Sequence, residues 1–261
     1  MRTVLRRIHV PLVSAGPLRL SDREAHHVRD VLRLRDREPV EVFDDAGRVG
    51  RGTLRLEAGG ALVLVDAVQA APVAAITLTI ASAIPKAARA DWLVEKLSEL
   101  GVDVFVPLET ARGVVVPEGK NKLERWARLA TEAAKQSHRT GVMRIDPVTP
   151  LAGAIEAALT AGEAWHLSTA GGALPIATKL FSPLSTAPRS LTLFVGPEGG
   201  WTPEEAERFA AAGVPPVSLG GTILRIETAA IAAAALVAAA TAAAASAHST
   251  IGRPPLESPP E

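Results

Sequence analysis

Two glycine-bearing segments near the end of the chain have the residue types of a ligand site. The first, Leu193-Phe-Val-Gly-Pro-Glu-Gly-Gly-Trp201, reads as an apolar strand running into a turn that holds Gly196, Pro197, Glu198, Gly199 and Gly200. A capped helix follows. In open α/β sheets, ligands sit outside the carboxyl ends of the strands. Glycine there lets a ligand approach the main chain, whose N–H and C=O groups can read the edge of a nucleobase. The spacing is neither that of a Walker loop nor that of a dinucleotide fingerprint. Alone, the segment fits a structural turn as well as a ligand loop. The second segment, Ser218-Leu-Gly-Gly-Thr-Ile-Leu-Arg-Ile-Glu-Thr-Ala229, repeats the order of strand, glycine turn and helix. Glu227 suits a helix N-terminus and its dipole, and Arg225 can pair with it. The dipole does not account for Arg225 itself, whose charge is unfavourable there.

Other charged residues fall in patterns that fit either substrate contact or ordinary solvation. Glu132, Gln136 and Arg139 stand at i, i+4 and i+7 of an expected helix over 122–139, with Arg125 and Arg128 extending the stripe. Periodicity alone is satisfied by a solvated polar face. The adjacent His26 and His27 would point in different directions on a helix. They lack a histidine partner at i+4, and the chain has no cysteine, so no metal site is expected. With Arg6, Arg29 and Arg33 near in sequence, His27 fits a phosphate-contacting surface or a solvated helix face. Lys86 and Arg89 follow a strand and are either nucleic-acid contacts or surface charge.

The elements that must position these groups come in two styles. Val40–Phe43 and Ala61–Val65 read as strands, with a turn at Asp44-Asp-Ala-Gly47 joining a hairpin, and Ser21–Leu34 reads as a short helix. A small β-rich domain over 1–70 ends at a break near Ala70-Ala-Pro72. From 73 to 248 strands and helices alternate. Strands are expected at 76–81, 102–107, 163–168, 191–195 and 217–219. Helices are expected at 91–100, 122–139, 152–161 and 202–213, and along the alanine-rich stretch Ala229–Ala247. Thr202, Pro203 and Glu205 supply N-cap, N1 and N3 signals. Such alternation implies a mostly parallel sheet covered on both faces. The proline-rich tail, 249–261, is expected to be disordered.

Composition sets the outer limits. The chain has 261 residues, is 48% hydrophobic, and balances 28 basic against 28 acidic residues. Residues 1–37 nevertheless hold nine arginines against four acids, which is compatible with a polyanionic partner. The alanine stretch lacks the leucine-rich character of a membrane span and is expected to be a packed helix rather than an inserted one. The first residues, Met1-Arg2-Thr3-Val4, show no apolar leader stretch, and a cytoplasmic address is expected.

Taken together, Phe194–Trp201 and Leu219–Ala230 resemble the bacterial 16S ribosomal RNA uracil-N3 methyltransferases, a branch of the SPOUT class. Lys86 with Asp91–Val102, Arg125-Trp126 with Glu132–Arg139, and His26–Arg33 are similar to further motifs of that family, in the same order. The likeness covers nearly the whole chain except the tail. One departure is Val142-Met143-Arg144, where the family usually carries a proline. The resemblance implies a PUA-like N-terminal β-barrel and an α/β SPOUT domain with a deep trefoil knot. It also implies a homodimer, S-adenosyl-L-methionine as methyl donor, and 16S ribosomal RNA of the small subunit as substrate. It assigns the donor to two loops, Gly196–Gly200 and then Leu219, Gly220, Ile223, Leu224, Thr228 and Ala229; the order of strands adds a third at Ser168-Thr169, after Trp165-His-Leu167. Catalysis is expected from Arg225, Glu227, Arg139 and Glu132. RNA contacts are expected from Arg6, His27, Arg29, Arg33, Lys86, Arg89 and Gln136. Two other functions stay open: a non-catalytic ribosome-assembly factor, and a methyltransferase acting on a ribose 2′-hydroxyl or another base.

Overall fold

A computed structural model describes residues 5–70, 76–86, 88–113, 120–181 and 190–251. In chain order the elements begin with β1 (Arg6–His9), β2 (Gly16–Arg19), α1 (Asp22–His26), β3 (Pro39–Phe43), β4 (Arg48–Glu57) and β5 (Gly60–Ala70). Next come β6 (Thr77–Ala83), α2 (Ala88–Glu99), β7 (Val104–Glu109), α3 (Lys120–Ser137), β8 (Arg144–Ile145), β9 (Thr149–Pro150) and α4 (Leu151–Ala161). The last are β10 (Glu163–Leu167), β11 (Leu174–Pro175), α5 (Ile176–Leu180), β12 (Ser190–Val195), α6 (Pro203–Ala211), β13 (Pro216–Ser218) and α7 (Ile226–Ile251). The chain forms two compact units. One gathers 1–73, 94–99 and 119–145; the other gathers 74–93, 100–118 and 146–261.

In the first unit five strands lie in the order β1-β3-β4-β5-β2. β1 runs parallel to β3, and the other neighbours are antiparallel. The β3–β4 turn is built around Asp44, which is fully buried. Its carboxylate accepts from the N–H groups of Val13, Ala46 and Arg48 and from Arg48 Nε. Ile8, Val40, Val42, Leu54 and Val63 form the aliphatic core, joined by Ala25 and Val28. The helix expected over Ser21–Leu34 is shorter and changes type. Ser21 caps α1 by accepting from Glu24 N, but from His27 to Val31 the turn widens to π geometry. Leu32 N–H donates to His27 O, five residues back. The wide turn buries Val28 and leaves Val31 exposed.

The long helix α3 presents Trp126, Ala130, Ala133 and Ala134 inward. It ends sooner than its periodicity suggests, because His138 takes φ 57° and carries the chain out of the helix. Arg139 therefore leaves the stripe that holds Glu132 and Gln136. Its guanidinium donates to Ser98 O, and its own carbonyl accepts from Arg7. Lys135 is buried against both oxygens of Glu24, at 2.8 and 3.0 Å.

In the second unit the strand order is β11-β13-β10-β12-β6-β7, with β9 also on β7. Every one of these pairings is parallel. From Leu191 to Val195, β12 is buried at every position, as a parallel strand covered on both faces must be. α4 and α6 bring Ile155, Ala158 and Phe209 against Ala81, Ala164 and Phe194. α7 packs on β6 and β12 through Ala230, Ala233, Ala234 and Val237. By length and composition α7 is apolar enough to cross a membrane. Its small side chains instead let it lie close on the sheet. It extends to Ile251, so 249–251 of the expected disordered tail are helical. Residues 252–261 lie outside the described residues, as does most of the break near Pro72.

Candidate functional site

Three parallel strands, β10, β12 and β13, release their chains side by side at their carboxyl ends. The loops that follow enclose a cleft of about 510 Å³. Its walls are His166–Ala170, Val195–Trp201 with Ala206, and Leu219–Gly220 with Thr222–Leu224, Ile226 and Ala229. The cleft is thus a direct product of strand order: β10 stands between β12 and β13, and all three point the same way.

The first glycine loop is shaped by close contact. A Cβ on Gly196 would come within 2.9 Å of the Trp201 ring. Trp201 in turn donates from Nε1 to Leu167 O at 2.9 Å and meets Phe209 edge-on. The turn closes with Gly200 N–H donating to Pro197 O, Gly200 taking φ 69°. Thr202 then caps α6 in a full capping box with Glu205. Glu205 is buried and also accepts from Ala111 N–H, and Arg112 donates to Gly199 O at 2.6 Å. The loop after β12 is therefore tied both to the end of β10 and to the segment after β7.

The second loop enters α7, where Ala229 N–H donates to Arg225 O. Ile226 and Ala229 face the cleft, three residues apart. Thr228, expected among the donor-binding residues, is exposed and outside the cleft. Two positions beyond Ile226, helical geometry turns it to another side. The expected pairing of Arg225 with Glu227 also gives way. Arg225 is exposed, with no ion pair or hydrogen bond of its side chain among the described residues, while Glu227 is buried and pairs with Arg89 at 3.4 Å. Glu227 Oε2 is buried without a partner among the described residues. Arg89 also reaches Glu198, at 3.2 Å.

The remaining expected residues are placed as follows. Ser168, Thr169, Gly196–Gly200, Leu219, Gly220, Ile223, Leu224 and Ala229 all line the cleft. Ile223 is 84% exposed at its rim. Lys86 is exposed, as are Arg6, Arg33 and Gln136 in the first unit; His27 is half-buried. Arg29 donates to Glu57 O and Gly60 O, fixing the β4–β5 turn. Glu132 pairs with Lys135 and Arg23 in the first unit. His26 pairs with Asp30.

The sequence did not single out His166, Arg112 or the role of Arg89. His166 is buried in the cleft wall, stacked on Phe209 at 4.3 Å, with Nδ1 3.1 Å from Val214 O. Burial holds its imidazole below the ordinary value, and the Val214 carbonyl offsets part of that. Its position at the end of an apolar strand, Trp165-His-Leu167, was the available signal.

A family model described as an RNA methyltransferase domain matches residues 72–238. The Ribosomal RNA small subunit methyltransferase E of a Synechocystis species is 37% identical over 224 residues, covering 82% of this chain and 70% of the relative. A crystal structure of the protein of that name from Neisseria gonorrhoeae, bound to S-adenosyl methionine, is 28% identical with a TM-score of 0.78, covering 89% of this chain and 96% of that one. A methyltransferase structure from Legionella pneumophila, in complex with the bound cofactor SAM, is 26% identical with a TM-score of 0.79, covering 91% and 98%.

Proposed function

The chain belongs to the RNA methyltransferase domain family, and from that premise we propose that it transfers a methyl group from S-adenosyl-L-methionine to N3 of a uridine in 16S ribosomal RNA. The observation that carries the reading is the cleft at the carboxyl ends of β10, β12 and β13. Its volume is in the range of small-ligand sites. Ile223 stands uncovered at its rim and offers an apolar surface to a nucleobase. A Cβ at Gly220 or Gly221 would meet no other atom of the chain, so the main chain there is open to a ligand. These features fit an adenosine-bearing donor. When bound, the donor supplies a methyl group made electrophilic by its sulfonium.

The protein residues must then deliver a deprotonated N3. Glu227 is the carboxylate we assign to that proton, because its Oε2 is buried and has no hydrogen-bond partner among the described residues. Glu132 is less suited, because its side chain is 45% exposed where that of Glu227 is 5% exposed. Arg225, exposed beside it in sequence, stabilises the anion that develops on the uracil or binds its phosphate. Arg6, His27, Arg33, Lys86 and Gln136 are assigned to the RNA backbone. We further assign 1–70 to a PUA-like barrel and 73–248 to a knotted SPOUT domain. We also assign the chain to a homodimer in the cytoplasm, with the expectation resting on family membership.

The test is methyl transfer from labelled donor to 16S RNA and to small subunits lacking the modification, with the product nucleoside identified by mass spectrometry. The expected product is 3-methyluridine, strongly reduced for Arg225→Ala and Glu227→Gln. A 2′-O-methylated product or another base would overturn the assignment of N3. Absence of donor binding in calorimetry would favour a non-catalytic assembly factor.

A further inference from the structure

The two glycine loops reach the cleft from different strands, and a single guanidinium from a third element joins them. Arg89, in the first turns of α2, places Nη1 3.2 Å from Glu198 Oε1 and 3.4 Å from Glu227 Oε1. Glu198 is on the loop after β12 and lines the cleft. Glu227 sits in the first turn of α7, between the lining residues Ile226 and Ala229. The geometry points to Arg89 as a positioning residue that clasps the two loops together and so sets the width of the methyl-donor cleft. This inference rests on the donor reading of that cleft.

The two ends of the clasp differ in environment. The Glu227 side chain is 5% exposed and that of Glu198 55% exposed. A buried carboxylate needs a countercharge, so the Arg89–Glu227 contact is the anchored end. The exposed Glu198 contact is the weaker one, screened by water. Arg89 thereby fixes a position on α7 and holds the glycine loop against it. This pre-forms the cleft and spares a ligand the ordering of two loops. The same loop is held from its other sides by Trp201 Nε1 on Leu167 O and by Arg112 on Gly199 O. Neither of those ties reaches α7; among the described residues, the side-chain hydrogen bonds that link this loop to the start of α7 run through Arg89. By sequence alone Arg89 fits an RNA contact. Engaged with two carboxylates, its charge is already used inside the protein.

The experiment measures donor and RNA parameters separately. S-adenosyl-L-methionine is titrated calorimetrically into wild type, Arg89→Met, Arg89→Lys, Glu198→Gln and the Arg89→Met/Glu198→Gln double variant. Steady-state methylation of unmodified small subunits is run in parallel. Arg89→Met is expected to raise the donor Kd and the donor KM by about tenfold or more, the size seen when one partner of a buried charge pair is removed. Its KM for RNA is expected to stay within about twofold, whereas kcat is free to change because Glu227, the assigned proton acceptor, loses its countercharge. Arg89→Lys keeps a charge that can bridge two carboxylates and should restore most of the affinity. Glu198→Gln should weaken donor binding by a few-fold, and the double variant should bind no worse than Arg89→Met alone. An elevated RNA KM with unchanged donor Kd would make Arg89 an RNA contact and overturn the clasp. So would additive losses in the double variant, or a fall in melting temperature with unchanged donor Kd. If Arg89→Met does not fold, an unchanged donor Kd in Glu198→Gln decides against the clasp by itself. Wild type that binds no donor overturns the donor reading and the clasp with it. Wild type that binds while the variants bind equally well overturns the clasp alone.

Discussion

Replacing Gly196 by alanine tests whether the first glycine loop is shaped by its contact with Trp201. The added Cβ would lie 2.9, 3.2 and 3.3 Å from three atoms of the indole. Relief requires the ring or the loop to move by about half an ångström, to reach ordinary van der Waals separation. The ring is poorly placed to yield. Its Nε1 is bonded to Leu167 O and its edge packs on Phe209, which is fully buried and itself stacked on His166. The movement must therefore stretch the Leu167 bond or displace the main chain of the loop. Overpacking of this kind costs about 1–3 kcal/mol of stability. If half of that, about 0.5–1.5 kcal/mol, appears as lost pre-formation of the cleft, donor affinity falls by about two- to twelvefold, since a decade corresponds to about 1.4 kcal/mol. The assay is calorimetric titration with S-adenosyl-L-methionine alongside thermal unfolding, for Gly196→Ala, Trp201→Phe and the double variant. In the Trp201→Phe background the smaller ring makes room, and the alanine should cost less than half as much as it does alone. Gly196→Ala with wild-type affinity and melting temperature would refute the reasoning. So would a penalty that is the same in both backgrounds, because the indole would then not be the obstacle.

Two further expectations concern buried charge. Lys135→Met leaves Glu24 buried without its cation and should destabilise the protein by about 3–5 kcal/mol, read by denaturant unfolding. The double variant Lys135→Met/Glu24→Leu should recover most of that loss; no recovery would show that packing, not charge, is at stake. For His166, burial lowers the folded-state value beneath 6.5, so the folded state favours the neutral ring. The stabilising contribution is complete above about pH 6.5 and is lost as pH falls from there through the lowered folded-state value, because the unfolded chain takes up its proton first. His166→Phe keeps the stack on Phe209 and should flatten the decline in melting temperature on the acid side of pH 6.5; an identical decline in both proteins would remove His166 as its source.

The cleft was legible because its makers are local. Glycine turns, an apolar run before each and a Thr-Pro-x-Glu capping signal after the first are all short-range patterns, and the parallel sheet follows from their alternation. What escaped was set by contacts distant in sequence or by helical phase. The role of Arg89 depends on Glu198 and Glu227, 109 and 138 residues away. Arg139 fits the stripe of α3 by counting, yet the left-handed turn at His138 removes it, and no glycine or proline marks that position. Thr228 fell outside the cleft because a helix had already begun at Ile226. Arg29 looked like a phosphate ligand, but its hydrogen-bond partners are two carbonyls of a turn formed about thirty residues later.

The place of Trp201 also gives the cleft an optical identity. The chain has no tyrosine and four tryptophans, so red-edge excitation that passes over phenylalanine yields emission from its indoles. Trp126 and Trp165 are buried, and Trp92 is exposed on α2. Trp201 is the one indole that lines the cleft, against Gly196 and bonded to the end of β10. A chromophore is thus built into the cleft wall, and a change in its emission on addition of S-adenosyl-L-methionine is the expected label-free sign of occupancy.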